Sequence, residues 1–430
     1  MSPPHPSPDP LLLAALAGAL SLALGLGACR DKGGETGGDT LDEVDWFNPA
    51  GADDPAGWRQ YRKDAGHQGV APVGAHLSAE MELVWSTEAY AIGDYSASKS
   101  SPVVDDTQVY VGFDDGRLLA LDRDTGALRW AFETRRYAVE LGEDSSEHHG
   151  IHGTPAVDDE QVYIGDYSGW LYALDKVTGA LRWEQKLGGS IGASPVLFQG
   201  QIFMAVEFGD PDGKVFIVDA ASGEIRWSSP YLGNHPHASV SLDTTRGLAY
   251  VGANNGRFFC YDYQTGEQRW TFDMVEGAEI KSTAAVGDGT VWITSWDYRL
   301  YALDAETGEE RYHVESGARS MSSPSAHDGT VYFGSHDNQL YDVDDDTGLP
   351  RWTFDAGGVI ISSPTVVPDS GLVAIGSGDR SVYLLRTDTG EVAWSAPLGG
   401  IVSSVPLVIS GCLFLSDAAG QVWRWDDAAP

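Results

Sequence analysis

The chain has 430 residues, 42% of them hydrophobic and 10% aromatic, and its 27 Lys and Arg stand against 63 Asp and Glu for a formal charge of −36. That balance excludes nucleic acid as a partner, because a phosphate backbone is held by a basic face. With only seven Lys, the acidity reads as a strongly solvated surface, and recruitment of cationic ligands or calcium is the sharper alternative.

Residues 11–26 form an apolar run too short to span a bilayer, followed by Leu26-Gly-Ala-Cys29 with small residues at a cleavage point. The segment resembles a bacterial lipoprotein signal peptide, so residues 1–28 are expected to be removed and Cys29 to carry acyl chains; several chains give durable attachment. A departure is that residues 1–10 hold no Lys or Arg, which such a signal normally carries. Residues 29–57 are Gly-rich and acidic without any strand period and read as a flexible tether. Arg30 follows the cysteine where Asp would favour the inner membrane of enteric bacteria, which points to the periplasmic side of the outer membrane.

From residue 58 the chain is expected to form one domain ending at residue 430. One frame returns along it, clearest as Gly153-Thr-Pro-Ala-Val, Val162-Tyr-Ile-Gly-Asp and Leu171-Tyr-Ala-Leu-Asp-Lys-Val-Thr-Gly-Ala-Leu-Arg-Trp183. Its closing aromatic recurs at Trp130, Trp183, Trp227, Trp270, Tyr312, Trp352 and Trp394, a period of about 42 residues with one longer interval before Trp183. Short strands at such a period predict a β-propeller of four-stranded blades. Ser-Pro or Thr-Pro opens the innermost strand, and Val-Tyr-Val-Gly is the second. The Gly of that second strand, with the Asp-Gly or Asn-Gly beyond it, is expected to supply positive dihedrals for a hairpin. The turn Asp-x-x-Thr-Gly follows the third strand at residues 122–126, 175–179 and 304–308. Its carboxylate and hydroxyl are expected to cap backbone amides, not to bind calcium.

Seven repeats are complete, whereas the eighth, residues 404–426, ends after its third strand. Met81-Glu-Leu-Val-Trp85 has the form of a fourth strand and precedes the first blade. It is expected to complete the last one, giving an all-β, eight-bladed ring of antiparallel blades with no open edge at the seam.

The element Ala-x-Asp-x-x-Thr-Gly-x-x-x-Trp, intact at residues 120–130 and 173–183, resembles the tryptophan-docking motif of pyrroloquinoline-quinone (PQQ) type propeller repeats. The resemblance covers residues 58–426, including a similar lead-in at Trp58-Arg-Gln-Tyr-Arg-Lys-Asp-Ala-Gly-His-Gln-Gly. Departures are Tyr312 for Trp, Asp342 for Ala and Arg386 for Asp. Quinoprotein dehydrogenases share the repeat, but membership among them implies adjacent cysteines over the quinone, an Asp base and calcium ligands. This chain has three separated cysteines and strand connections too short for a cofactor chamber. Cys260 and Cys412 fall on opposite sides of the ring and are not expected to pair. No nucleophile elbow, phosphate loop or zinc helix is found. PQQ is therefore not expected, and the chain is read as a non-enzyme.

Five of the eleven histidines fall in two segments entering the innermost strands of blades two and four: His148, His149 and His152, and His235 and His237. In a propeller these entries line the channel mouth, beside the loops between second and third strands. With Glu147 or Glu207 they are candidate ligands for zinc or copper, the metal set being His149, His152, His235 and His237. Because blades two and four are not adjacent, such a shared site would have to reach across the channel. Lys99, Glu279, Lys281 and Arg319 make one side of the expected mouth polar, and Ile191, Val359, Ile360, Ile361 and Val402 make the other apolar. The one sizeable insertion, residues 131–150, leads into the same rim. In anchor, tether, blade count and size the chain is similar to the BamB family of outer-membrane assembly lipoproteins. That resemblance implies a monomeric, lipid-anchored scaffold for an envelope protein partner; metal or small-ligand binding at the mouth is the alternative, and a PQQ-dependent oxidoreductase the second.

Overall fold

Both faces of a propeller blade are covered by its neighbours, so its middle strands need apolar residues on both sides, and only the outermost strand is left to solvent. Blade two has this profile. Gln161–Gly165 and Trp170–Asp175 are buried along nearly their whole length, while Leu181–Lys186 is largely exposed. The computed structural model describes residues 59–90, 100–134, 150–209 and 211–428. The expected signal peptide, the tether and Cys29 lie outside the described residues. Among those described, the strands form eight antiparallel four-stranded sheets, spanning residues 103–133, 156–186, 196–228, 241–273, 285–315, 325–355, 365–397 and, for the eighth, 407–427 together with Met81–Ser86. No described helix is long and apolar enough to cross a membrane.

The ring closes as the sequence implies. Met81–Ser86 pairs antiparallel with Val422–Asp427, Met81 opposite Asp427 and Ser86 opposite Trp423, with a bulge between Leu83 and Trp85. Trp85 then docks on blade one, its Nε1 donating to the Arg123 carbonyl at 3.0 Å. The same contact repeats round the ring: Trp130 donates to Lys176, Trp183 to Ala220, Trp270 to Ala305 and Trp352 to Thr387, at 2.9–3.1 Å. Each indole covers the turn glycine of the next blade. Gly179 has φ +71, and a Cβ there would lie 2.6 Å from Trp130 Cε3. The preceding Asp175 is consumed within the turn, accepting from the Thr178 amide and hydroxyl at 2.8 Å and from Arg182. Its carboxyl sits at about 2, below the ordinary range, through Arg182 first and Thr178 next. The departures are accommodated locally. Tyr312 still covers Gly348 and accepts from Trp292 Nε1 at 3.1 Å, and Arg386 keeps the backbone bonds of its turn.

One expectation about glycine is corrected. Hairpin glycines such as Gly116 and Gly169 have positive φ, but the glycines ending the second strands, such as Gly112 and Gly165, do not. They make room instead. A Cβ on Gly165 would lie 2.3 Å from Ile191 Cγ2 of the next blade, and Gly334 and Ile360 repeat the fit at 2.1 Å.

Two further features tie the ring together. The hydroxyl before each Pro-type strand opening accepts the equivalent amide of the preceding blade: Ser101 to Thr154, Thr154 to Ser194, Ser194 to Ser239, Ser239 to Thr283, Thr283 to Ser323 and Ser323 to Ser363, with Val405 to Ser101, all at 2.8–3.0 Å. Val405 breaks the belt because it brings no hydroxyl. The lead-in circles the ends of the innermost strands, its carbonyls taking amides in blade order. Val157 donates to Arg59, Leu197 to the Gln60 side chain, Leu242 to Ala65, Val286 to Gly66, Ala326 to Gln68 and Val366 to Gly69, at 2.7–3.2 Å. Arg62 is fully buried there and donates to Ser325 Oγ at 2.6 Å.

Two stability measurements follow from these contacts. Gly200 shares the left-handed backbone (φ +74) but nothing lies within 4 Å of its Cβ position. Gly200→Ala should therefore lose about 1–2 kcal/mol, from backbone strain alone, and Gly179→Ala about 1–3 kcal/mol more, from displacing the indole. Equal losses in chemical denaturation would show that the docking contributes nothing. The second concerns Asp342, 1% exposed where blades one, two and five hold Ala. Burial pushes its carboxyl up to about 6, against the pull of Arg351 and Tyr332. The folded value exceeds the unfolded one, so the penalty is absent below about pH 4, grows between 4 and 6 and is complete above 6. Asp342→Ala should gain about 1–3 kcal/mol at pH 8 relative to its effect at pH 4; the same effect at both would contradict this.

Candidate binding site at the channel mouth

The entries to the innermost strands run against the loops between second and third strands of the preceding blade, as the sequence suggests. The Ile151 amide donates to Phe113, Ile191 to Asp166, Ile360 to Ser335 and Val402 to Ser377, all at 3.0 Å. Extended backbone alternates, so every second entry residue turns into the blade interface and the ones between face the mouth. Ile191, Ile360 and Val402 are at most 1% exposed. They fill the notches left by the second-strand glycines and do not line an apolar half of the mouth, which corrects the sequence reading. Val359 and Ile361 beside them are half-buried. On the polar side Lys281 Nζ and Arg319 both lie over the Trp296 ring, at 4.2 and 4.4 Å, with Glu279 bridging Lys281 at 2.9 Å.

The histidines separate into two places. Asn234-His-Pro-His holds His235 extended, because the residue before a proline is biased that way, and puts His235 and His237 two residues apart on one side. Their rings are 6.0 Å apart and nearly perpendicular. Glu207 reaches both: its Oε1 is 2.8 Å from His237 Nδ1 and its Oε2 3.6 Å from His235 Nδ1. His235 Nε2 lies 3.0 Å from the Phe208 carbonyl. Glu207 stands on Gln201–Phe208, which with Asp212–Asp219 makes a hairpin of eight-residue strands where blade two has strands of five and six. Its backbone is paired with Gly213 on one side and with Ser190 of the entry segment on the other.

His152 stands elsewhere. Its Nε2 is 3.6 Å from Asp114 Oδ1 of blade one and its ring packs 4.0 Å from Tyr167. A common site of His152 with His235 and His237 across the channel is thus not what the geometry brings together; the metal-compatible group among the described residues is Glu207, His235 and His237. His148, His149, Glu147 and Lys99 lie outside the described residues. Tyr167 connects the two places. Its hydroxyl is pushed well above its ordinary value by burial first, then by the charges of Glu207 and Asp114. Gly192 leaves the space between them, a Cβ there falling 3.3 Å from both the Tyr167 hydroxyl and Glu207 Oε1.

The cofactor of the quinone enzymes does not fit these residues. Both described cysteines are buried and unpaired, Cys260 in a third strand of blade four and Cys412 in a second strand of blade eight, neither at the mouth. Burial pushes both thiols up.

Comparison with known proteins places the repeats. The family model described as outer membrane protein assembly factor BamB matches residues 77–143, 135–271, 254–365 and 351–429. Among curated relatives, BamB of Salmonella typhimurium is 30% identical over 249 residues and BamB of Yersinia pestis 26% over 246, in each case 55% of this chain and 61% of the relative. The chain thus spans less than two thirds of the length of these two relatives. The crystal structure of BamB from Moraxella catarrhalis aligns over 82% of this chain and 99% of its own at TM-score 0.64 and 22% identity. A europium-containing methanol dehydrogenase aligns over 87% and 98% at TM-score 0.73 and 14% identity. At these identities the structural likenesses speak to the fold alone. Because the family model runs through all eight blades, the chain belongs to the BamB family of PQQ-like propeller repeat proteins.

Proposed function

We propose that this chain acts by binding and not by catalysis, as a lipid-anchored scaffold that holds protein partners during assembly of the bacterial outer membrane. The observation that carries the reading is the match of the family model across residues 77–429, with relatives that are outer membrane protein assembly factors. The mouth supports it chemically. In a chain of net charge −36, Lys281 and Arg319 gathered over Trp296 offer a local cationic and aromatic platform. Such platforms are where interface energy concentrates, since Arg and Trp desolvate large areas with few rotors. A monomer attached through Cys29 on the periplasmic side of the outer membrane would present that platform to partners within reach of its tether.

Crosslinked capture with the full chain from its own envelope tests the scaffold. Outer membrane assembly proteins should be recovered, and recovery should fall at least about tenfold with Trp296→Ala combined with Arg319→Ala; capture containing no such protein would overturn the reading. The anchor has its own test. Cys29→Ser should move the protein from the membrane to the soluble fraction, whereas unchanged retention in the detergent fraction would show that the attachment lies elsewhere.

A further inference from the structure

We infer that Glu207, His235 and His237 form a binding site for a divalent transition metal of the zinc and copper class on the rim between blades three and four. The inference goes beyond the scaffold reading and does not depend on it.

It begins with protons. A carbonyl oxygen can only accept, so the 3.0 Å contact to Phe208 assigns the proton of a neutral His235 to Nε2. That leaves Nδ1 bare, and Nδ1 faces Glu207 Oε2 at 3.6 Å. Two acceptor atoms this close need a cation beside them both or a second proton on the ring. An imidazole whose far nitrogen donates to a backbone carbonyl, with the near one left open, is the usual arrangement of a metal-binding histidine.

The carboxylate tells the same story. Glu207 is only 7% exposed, and its Oε1 has no hydrogen-bond partner although His237 Nδ1 is 2.8 Å away. The distance suits a hydrogen bond but the direction does not. Atoms that converge without pointing at each other are what a common third atom requires. The potential ligand atoms of the three residues lie within 4.8 Å of one another. Metal bonds of about 2.0–2.2 Å in a tetrahedron set their ends a little over 3 Å apart, and each imidazole lies near that distance from one carboxylate oxygen, His237 at 2.8 Å from Oε1 and His235 at 3.6 Å from Oε2. Two imidazoles and one carboxylate select zinc or copper over calcium or magnesium, which take oxygen cages. The ligands are rigidly placed: Glu207 is held by a strand ladder on one side and a β-bridge to Ser190 on the other, and Pro236 fixes the two histidines. Both imidazoles keep about a quarter of their surface exposed, at 29% and 26%. A fourth position is therefore open to water or to a donor group of a ligand.

The test is calorimetric titration of the untagged full-length protein, stripped with chelator, using zinc and separately copper, calcium and magnesium. One zinc per chain should bind, calcium and magnesium should give no matching heat, and His235→Ala with His237→Ala should weaken zinc at least about a hundredfold. Glu207→Gln should weaken it about tenfold or more. His152→Ala should leave it unchanged, because His152 belongs to the other cluster. As a control on folding, zinc should raise the melting temperature of the parent and of His152→Ala but not of the double variant. Absence of stoichiometric zinc binding in the parent, affinity kept by the double variant, or equal loss in His152→Ala would each overturn the site and leave Glu207 with His237 as an ion pair.

Discussion

The contact on which the rest depends is a flat indole lying on a left-handed glycine. A blade has no core of its own to bury, and its outer strand is half solvated, so the angle between blades must be set by something at the periphery. Trp130 on Gly179 does this with one hydrogen bond and one excluded Cβ. The glycine is needed twice over: once because φ is +71, and again because any side chain would occupy the place of the ring. Repeating that joint sets the rotation at seven junctions, Trp394 meeting the Trp425 ring at the other, and the circle closes only if the joint from blade eight back to blade one is also made. Trp85, brought from in front of the first blade, makes it.

These elements were readable because they are local. Asp, Thr, Gly and Trp of a docking unit lie within eleven residues, and the missing fourth strand of the last repeat had one spare counterpart at residues 81–85. The hydroxyl belt is not legible in this way. Thr154, Ser194 and their equivalents recur visibly, but each one serves an amide some 40 to 53 residues away, and Ser101 serves that of Val405 at the far end of the chain. Nothing in the neighbourhood of a serine announces such a partner. The lead-in is recognisable only by likeness, since apart from the Gln60 side chain its strand-edge clasp uses backbone carbonyls and no particular side chains. Its bonds to blades two through seven could not have been derived from residue types.

The site shows the same division. The concentration of histidine at two strand entries was legible, and so was Glu207 as one candidate partner. Which histidines meet which carboxylate was not. Entry segments touch the loop of the preceding blade, so His152 goes to Asp114 of blade one, and the histidines before blade four go to Glu207 of blade three. The signal that could have found this is the late turn of blade three. Its Asp212-Gly213 comes after Glu-Phe-Gly, where other blades have already turned, which lengthens the hairpin and lifts Glu207 to the rim. Ile191 and Ile360 turn inward for a reason equally hidden from the sequence. Alternation hides every second residue, and the glycine that receives Ile191 lies in another repeat.

One end of the ring is thus occupied by the lead-in, through which buried Arg62 reaches blade six, while the other end carries the loops that differ most between blades. Joints, belt and clasp all use features common to the repeats, so they constrain the rim hardly at all. The rim can then hold a histidine pair in one quadrant and a cation pair over Trp296 in the next without disturbing closure. Binding residues on a mouth of this kind are positioned by strands that end beneath them. That is why the Glu207 carboxylate, its backbone paired on both sides, is rigidly placed even though it stands where the blade gives way to a loop.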